Sequence, residues 1–305
     1  MRSFRQHQID ELRAQFAGVG QEHVFAFWDQ LDAIGQEALI RQARRIGPTL
    51  PLLLGQRETA LAALEGSGPT DLAPCHAIAL PEHGGDRTAL ARARGVGQEL
   101  LQQGRVAVLV VAGGQGTRLG FDGPKGAFPI GPVSPRTLFG LQAQKLTALG
   151  RRSGQAIRWF VMTSPSTDAE TRALFEREDH FGLDPEQIFI FSQGTVPAWT
   201  LDGKLILERP DCIFESPGGH GDTFLALAQS GALDQMEKHG IDRLFYYQVD
   251  NPLVQMADPV FLGFHESEGA AMSCKVIRKV DPMEKLGVMA RSGDQPSLVD
   301  RKSTR

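Results

Sequence analysis

The chain has little cysteine and no long apolar run, and each shortage removes a class of protein. Its three cysteines in 305 residues, Cys75, Cys212 and Cys274, are odd in number and far apart, with no CxxC pair. Such spacing supports neither a disulfide framework nor a structural zinc site, so buried or incidental thiols are expected. No stretch of about 18 apolar residues occurs, and the N-terminus, MRSFRQHQIDELRAQF, lacks the apolar core of a signal peptide. The expected setting is cytoplasmic, without a membrane partner. A net charge of -4 leaves no basic excess for nucleic acid, and the expected partner is a small molecule.

What is present is the composition of an ordinary soluble globular protein, 41% hydrophobic and 22% charged. Its length allows two domains of unequal kind. The first is expected over residues 1–103. Apolar positions recur at helical spacing from Ile9 through Phe16, Val24, Trp28 and Leu39 to Ile46, which predicts two or three amphipathic helices with Phe25, Phe27 and Trp28 as packing residues. Pro48 to Leu54 is ambiguous. Gly55 to Glu82 reads as a linker with a short helix over Arg57 to Leu64, and a polar helix is expected from about Arg87 to Gln103.

The second domain is expected over residues 104–305, where strands and helices alternate. Strands are predicted at Val106 to Ala112, Ile157 to Thr163, Gln187 to Ser192, Leu244 to Val249 and Ala270 to Val280. Helices are predicted at Thr137 to Leu149, at Asp168 to Glu178 behind a Ser166 or Thr167 cap, and at Phe224 to His239, with a hairpin turning at Asp202 and Gly203. This order implies an α/β fold with a mostly parallel sheet and helices on both faces. Ligands of such sheets bind at the carboxyl ends of the strands. There the stretch RVAVLVVAGGQGTRLGFDGPKG, Arg105 to Gly126, places Gly113, Gly114, Gly116 and Gly120 directly after a valine-rich strand, with Arg118 and Lys125 beside them. Bare amides and fixed cations suit the phosphates of a nucleotide. The loop is neither GxGxxG, because Gly120 falls one residue late, nor a P-loop, because the only GK, at Gly203, precedes Leu205.

GGQGTRLG at Gly113 to Gly120 followed by PKG at Pro124 resembles the loop of the UDP-sugar pyrophosphorylases, and most of all that of the UDP-N-acetylglucosamine type. FWDQL, TLFGLQAQKL, MTS, QGTVPAW, DGKLILE, SPGGHGD, VDNPL and CKVIRKVDPMEKLGV follow in the family's order and extend the resemblance over most of residues 20 to 290. It implies a Rossmann-like, GT-A-like nucleotidyltransferase with a helical N-terminal extension. The implied reaction is uridylyl transfer from UTP to a sugar 1-phosphate with magnesium. Residue by residue, it implies that Gly113, Gly114, Gln193 and Gly219 bind the nucleotide, that Arg118 and Lys125 are catalytic, that His220 lies by the substrate, and that Asp250 places magnesium. The acetylglucosamine enzymes usually carry Asn where His220 stands, while GHGD is similar to the glucose-type and broad-specificity enzymes, so the sugar is either N-acetylglucosamine 1-phosphate or glucose 1-phosphate. Past Ala290 the family continues with a VEYSE-like strand. Here Ser297 to Val299 resemble its start and DRKSTR follows, so the catalytic domain is expected to be incomplete at its C-terminal end. An inactive nucleotide-binding remnant is the alternative.

Overall fold

A computed structural model of the chain describes residues 2–65, 71–131, 133–281, 283–284, 286–293 and 295–299. In chain order its elements are α1 (Arg2–Ala17), α2 (Ala33–Ile46), α3 (Leu50–Glu65), β1 (Leu72–Pro74), α4 (Arg87–Gln102), β2 (Val106–Val111), α5 (Leu138–Ser153), β3 (Trp159–Thr163), α6 (Asp168–Arg177) and β4 (Ile188–Ser192). Four short strands follow, β5 (Thr195–Pro197), β6 (Leu207–Arg209), β7 (Cys212–Ile213) and β8 (Glu215–Pro217). The chain continues with α7 (Thr223–Gln229), α8 (Ala232–Lys238), β9 (Arg243–Gln248), α9 (Pro259–Ser267), β10 (Val288–Ser292) and β11 (Gln295–Val299).

These elements form two compact units. One comprises Ile78–Gly194 and Pro217–Ile277; the other comprises Met1–Ala77, Thr195–Ser216 and Arg278–Arg305. The grouping differs from a linear division at 103/104: α4 belongs with the sheet, and the short strands of 195–216 belong with the N-terminal helices.

The first unit is built on a four-stranded sheet in the order β4-β3-β2-β9, every pair parallel. β2 lies inside the sheet, which is why its sequence is apolar without alternation. Val106, Val108, Val110 and Ala112 join Trp159 and Val161 on one face, where α5, α6 and α9 add Phe139, Leu146, Leu174, Phe175 and Leu262. Ala107 and Leu109 join Phe160 and Met162 on the other, covered by Ala226, Leu227, Ala232 and Met236 of α7 and α8. α4 and α9 cross with their backbones touching: a Cβ on Gly97 would lie 1.9 Å from the Pro259 carbonyl oxygen, and one on Gly263 would lie 1.7 Å from that of Ala93. Only glycine permits this approach.

The predicted helix over 224–239 is two helices, because Gly231 turns the chain at φ +78° between α7 and α8. Thr167 occupies the position before α6, but it does not cap. Its hydroxyl instead accepts from the Ser164 amide at 3.1 Å. The strand predicted over 270–280 is absent: these residues carry no strand, and Met272, Ile277 and Val280 are exposed. β-favouring residues make a strand only beside another strand, and among the described residues this segment has none. Lys275 instead reaches Asp258 at 2.6 Å and lies over the Phe261 ring.

In the second unit, Ile9, Phe16, Val24, Phe25, Trp28, Leu39, Ile40 and Ile46 form a core with Leu205 and Ile213. Phe25 and Trp28 pack as expected, whereas Phe27 is exposed. The expected linker after Gly55 is helical as far as Glu65, since α3 continues from the ambiguous segment. Two glutamines act as substitute strand partners. Gln21 donates to the Gly203 carbonyl and accepts from the Leu205 amide, both at 2.8 Å, and Gln42 treats Ile213 the same way at 2.7 Å. The turn foreseen at Asp202 and Gly203 is closed by Gly203 N–H donating to Thr200. β11 pairs antiparallel with β10, which pairs with β1. Pro282, Lys285 and the tail from Asp300 lie outside the described residues.

Candidate active site

The carboxyl ends of β2, β3, β4 and β9 bring the expected loops to one edge of the sheet. After β2 the chain makes a compact fold. Gly116 N–H donates to the Gly123 carbonyl at 2.8 Å, Lys125 N–H donates to that of Gly114 at 2.9 Å, and Gly120 adopts φ +66°. The amides of Gly113 and Gly114 have no hydrogen-bond acceptor among the described residues, so their N–H groups are available to an anion.

Lys125 lies over Gly114, its Nζ 3.6 Å from where a Cβ would stand, and donates to Asp250 Oδ2 at 3.1 Å. Gln193 lies against Gly113 so closely that a Cβ there would stand 2.5 Å from its Nε2. It is 6% exposed, and its side-chain oxygen is buried with no hydrogen-bond partner among the described residues. Asp222 joins the loop after β4 to the glycine turn before α7: its Oδ2 accepts from the Gly194 amide at 2.8 Å, and Gly218 N–H donates to the Gly194 carbonyl at 3.1 Å. His220 in that turn contacts Tyr246 and Gln248 on β9, two residues before Asp250. Gly219, at φ +68°, makes the turn. The contacts and chain links therefore run in a circuit from Gly114 through Lys125, Asp250, β9, His220, Asp222, Gly194 and its neighbour Gln193 back to Gly113. Arg118 stands apart from it, exposed and with no hydrogen bond or ion pair among the described residues.

Sequence reasoning missed the residues that hold this circuit. Ser164 Oγ donates to the Gly113 carbonyl at 2.7 Å. Buried Gln142 on α5 accepts from Tyr247 Oη at 2.9 Å and donates to the Val249 carbonyl at 2.8 Å, while Lys145 caps the carbonyls of Pro252 and Val254. α5 thus clamps the turn that carries Asp250, and burial pushes the Lys145 ammonium below the ordinary lysine value. Period-2 spacing of Tyr246, Gln248 and Asp250 was a usable signal for a shared face. The clamp had none, because hydrogen bonds to carbonyls leave no pattern in sequence.

Magnesium prefers one or two carboxylates and completes its shell with phosphate oxygens and water. Asp250, half-exposed beside the free amides, fits that role, and among the described residues no group of three potential ligands forms an all-protein site.

A parallel sheet with these loops at its strand ends is an architecture with known relatives. The UDP-N-acetylglucosamine pyrophosphorylase of Trypanosoma brucei, solved in complex with inhibitor, superposes with a TM-score of 0.78 and 28% identity over 97% of this chain and 61% of that one. The fold is therefore that of the UDP-sugar pyrophosphorylases. The family model described as UTP--glucose-1-phosphate uridylyltransferase matches residues 81–304, and the chain belongs to that family. UDP-N-acetylglucosamine diphosphorylase 1 of Arabidopsis thaliana is 37% identical over 289 residues, covering 90% of this chain and 56% of its own. The UDP-N-acetylglucosamine pyrophosphorylase of Saccharomyces cerevisiae is 34% identical over 302 residues, 96% of this chain and 63% of its own. The chain thus spans about three-fifths of the length of these relatives.

Proposed function

We propose that the chain transfers a uridylyl group from UTP to a sugar 1-phosphate, N-acetylglucosamine 1-phosphate or glucose 1-phosphate, giving UDP-sugar and pyrophosphate. Gln193 carries the proposal. Its buried carbonyl has no partner among the described residues, and its amide offers one acceptor and one donor group, the pair that matches the N–H and carbonyl of uracil. The free amides of Gly113 and Gly114 lie directly beside it and receive the nucleotide.

A sugar-phosphate oxygen attacks the α-phosphorus in line, the α–β anhydride bond breaks, and its electron pair leaves on pyrophosphate. The chain's task is positioning and charge neutralisation. Lys125 leaves Asp250 for the phosphates and meets the charge growing on the leaving group, and Arg118 closes onto it from the exposed turn. Asp250 would hold magnesium, which neutralises phosphate charge when bound. Gly219 lies by the nucleotide and His220 by the sugar. No helix among the described residues is long and apolar enough to cross a membrane. The three cysteines are free, as thiols are in a reducing compartment, and we assign the chain to the cytoplasm.

The test is pyrophosphate release from UTP and each sugar 1-phosphate with magnesium, beside calorimetric titration of UTP. Release with either sugar is expected. Binding without release would make the chain a nucleotide-binding remnant, and absence of both would sink the proposal.

A further inference from the structure

β9 sends side chains alternately into the core and onto the site. Phe245, Tyr247 and Val249 are buried, whereas Tyr246, Gln248 and Asp250 lie on the other face. Asp250 is engaged by Lys125, while Tyr246 and Gln248 converge on His220. The Tyr246 hydroxyl hydrogen-bonds His220 Nδ1, the two rings meeting edge to face with centroids 5.9 Å apart. Gln248 Nε2 lies 3.3 Å from His220 Nε2. With the Gln248 amide nitrogen turned toward it as a donor, His220 Nε2 accepts, and the matching tautomer carries its proton on Nδ1, donated to the Tyr246 oxygen. The Thr223 hydroxyl, buried at the start of α7, has no hydrogen-bond partner among the described residues. Burial raises the Tyr246 hydroxyl above its ordinary value, so the group His220 meets is a neutral phenol.

We infer that Tyr246 is a positioning residue for sugar recognition: it fixes His220 in the Nδ1–H form and leaves Nε2 a bare acceptor, which a sugar hydroxyl or N–H takes over from Gln248. The inference rests on the sugar 1-phosphate reading above. The two contacts differ in kind. Gln248 is exposed and its contact long, so a ligand displaces it at small cost. The Tyr246 contact is a hydrogen bond joined to an edge-to-face ring contact, so displacing it separates two packed side chains. A fixed acceptor at position 220 favours a sugar that donates a hydrogen bond there, and a donor-poor analogue leaves Nε2 without its partner.

The test is a long-range proton–nitrogen correlation spectrum of the full chain with 15N-labelled histidine at pH 8, His220 being assigned from the signals lost in His220→Gln. A proton on Nδ1 and a bare Nε2 are expected in the wild type. In Tyr246→Phe the proton should move to Nε2, and KM for the sugar 1-phosphate should rise about tenfold, the scale of one hydrogen bond, with KM for UTP and kcat within about twofold. A wild-type ring protonated at Nε2, an unmoved proton in the variant, or an unchanged sugar KM would each overturn the inference. The wild-type spectrum decides even if Tyr246→Phe does not fold. The spectrum needs no turnover, so failure of the transfer proposal shows as absent pyrophosphate release, and failure of this one shows as the wrong tautomer.

Discussion

Lys125 and Asp250 meet at 3.1 Å across the carboxyl ends of β2 and β9, strands that pair directly in the sheet. The pair is half-exposed, so it adds at most about 1 kcal/mol to stability. Its worth lies in keeping a cation and a carboxylate beside the free amides. Lys125→Ala is expected to lower turnover by about a hundredfold or more, the usual cost of losing a preorganised charge partner of the transition state. The melting temperature should move by no more than about 3 °C. Pyrophosphate release and calorimetry check both, and an unchanged rate in a folded variant removes Lys125 from the mechanism.

Gly113 is where the nucleotide loop tolerates no side chain. In Gly113→Ala the new methyl would stand 2.5 Å from Gln193 Nε2 and 3.2 Å from Ser164 Cβ, so the Gln193 amide must swing away. Affinity for UTP is expected to fall about tenfold or more, with little loss for inorganic pyrophosphate, which has no uracil edge to be read. Calorimetric titration of the two ligands separates these effects. Equal loss for both would mean that the substitution damages the phosphate loop and not base recognition.

α4 contains its own control. Gly97→Ala would drive a methyl into the backbone of Pro259, whereas a Cβ on Gly95, two residues away, meets nothing within 4 Å. Gly97→Ala should destabilise by about 3 kcal/mol through overpacking, and Gly95→Ala should stabilise by about 0.5–1 kcal/mol through helix propensity. Urea unfolding of the two variants reads both signs. Equal and small changes would show that α4 and α9 do not cross in contact.

Glu215 gives stability a pH dependence of known direction. Burial alone would raise its pKa, but hydrogen bonds from Arg45, Gln42 and Thr195 outweigh burial and hold the carboxyl below the ordinary glutamate value. A depressed folded pKa contributes stability above the unfolded value and loses it as pH falls through the folded one. The stability advantage of wild type over Glu215→Gln should therefore be fully present at about pH 7 and shrink from roughly pH 5 downward. Urea midpoints across that range test it. An advantage that grows on acidification would contradict the assignment.

Much of this was open to reading in the residues, for reasons that differ from element to element. The run Val106 to Val111 announced an interior parallel strand because both faces must be apolar, and the glycines after it announced close backbone approach. The contrast is Ala270 to Val280, whose β-favouring residues read as a strand although a strand is a relation between two segments. Gly231 splits a helix whose apolar spacing continues across the break. Gln21 and Gln42 act by pairing with distant backbone, and nothing in their neighbourhood in the sequence distinguishes them from surface amides. At the site, loop chemistry marked Gly113, Gly114, Lys125 and Asp250, and the family resemblance added Gln193. Gln142, Asp222 and Tyr246, which fix those loops, became visible only when distant segments were brought together.

The place of β9 in the sheet also has a cost during synthesis. Val106 pairs with Arg243, so a ribosome adding roughly 5–20 residues per second leaves one margin of the valine-rich strand bare for on the order of ten seconds. An unpaired margin of that kind recruits other nascent chains. Soluble yield in a heterologous host should therefore respond to chaperone supply and slower growth more than to changes in the mature surface.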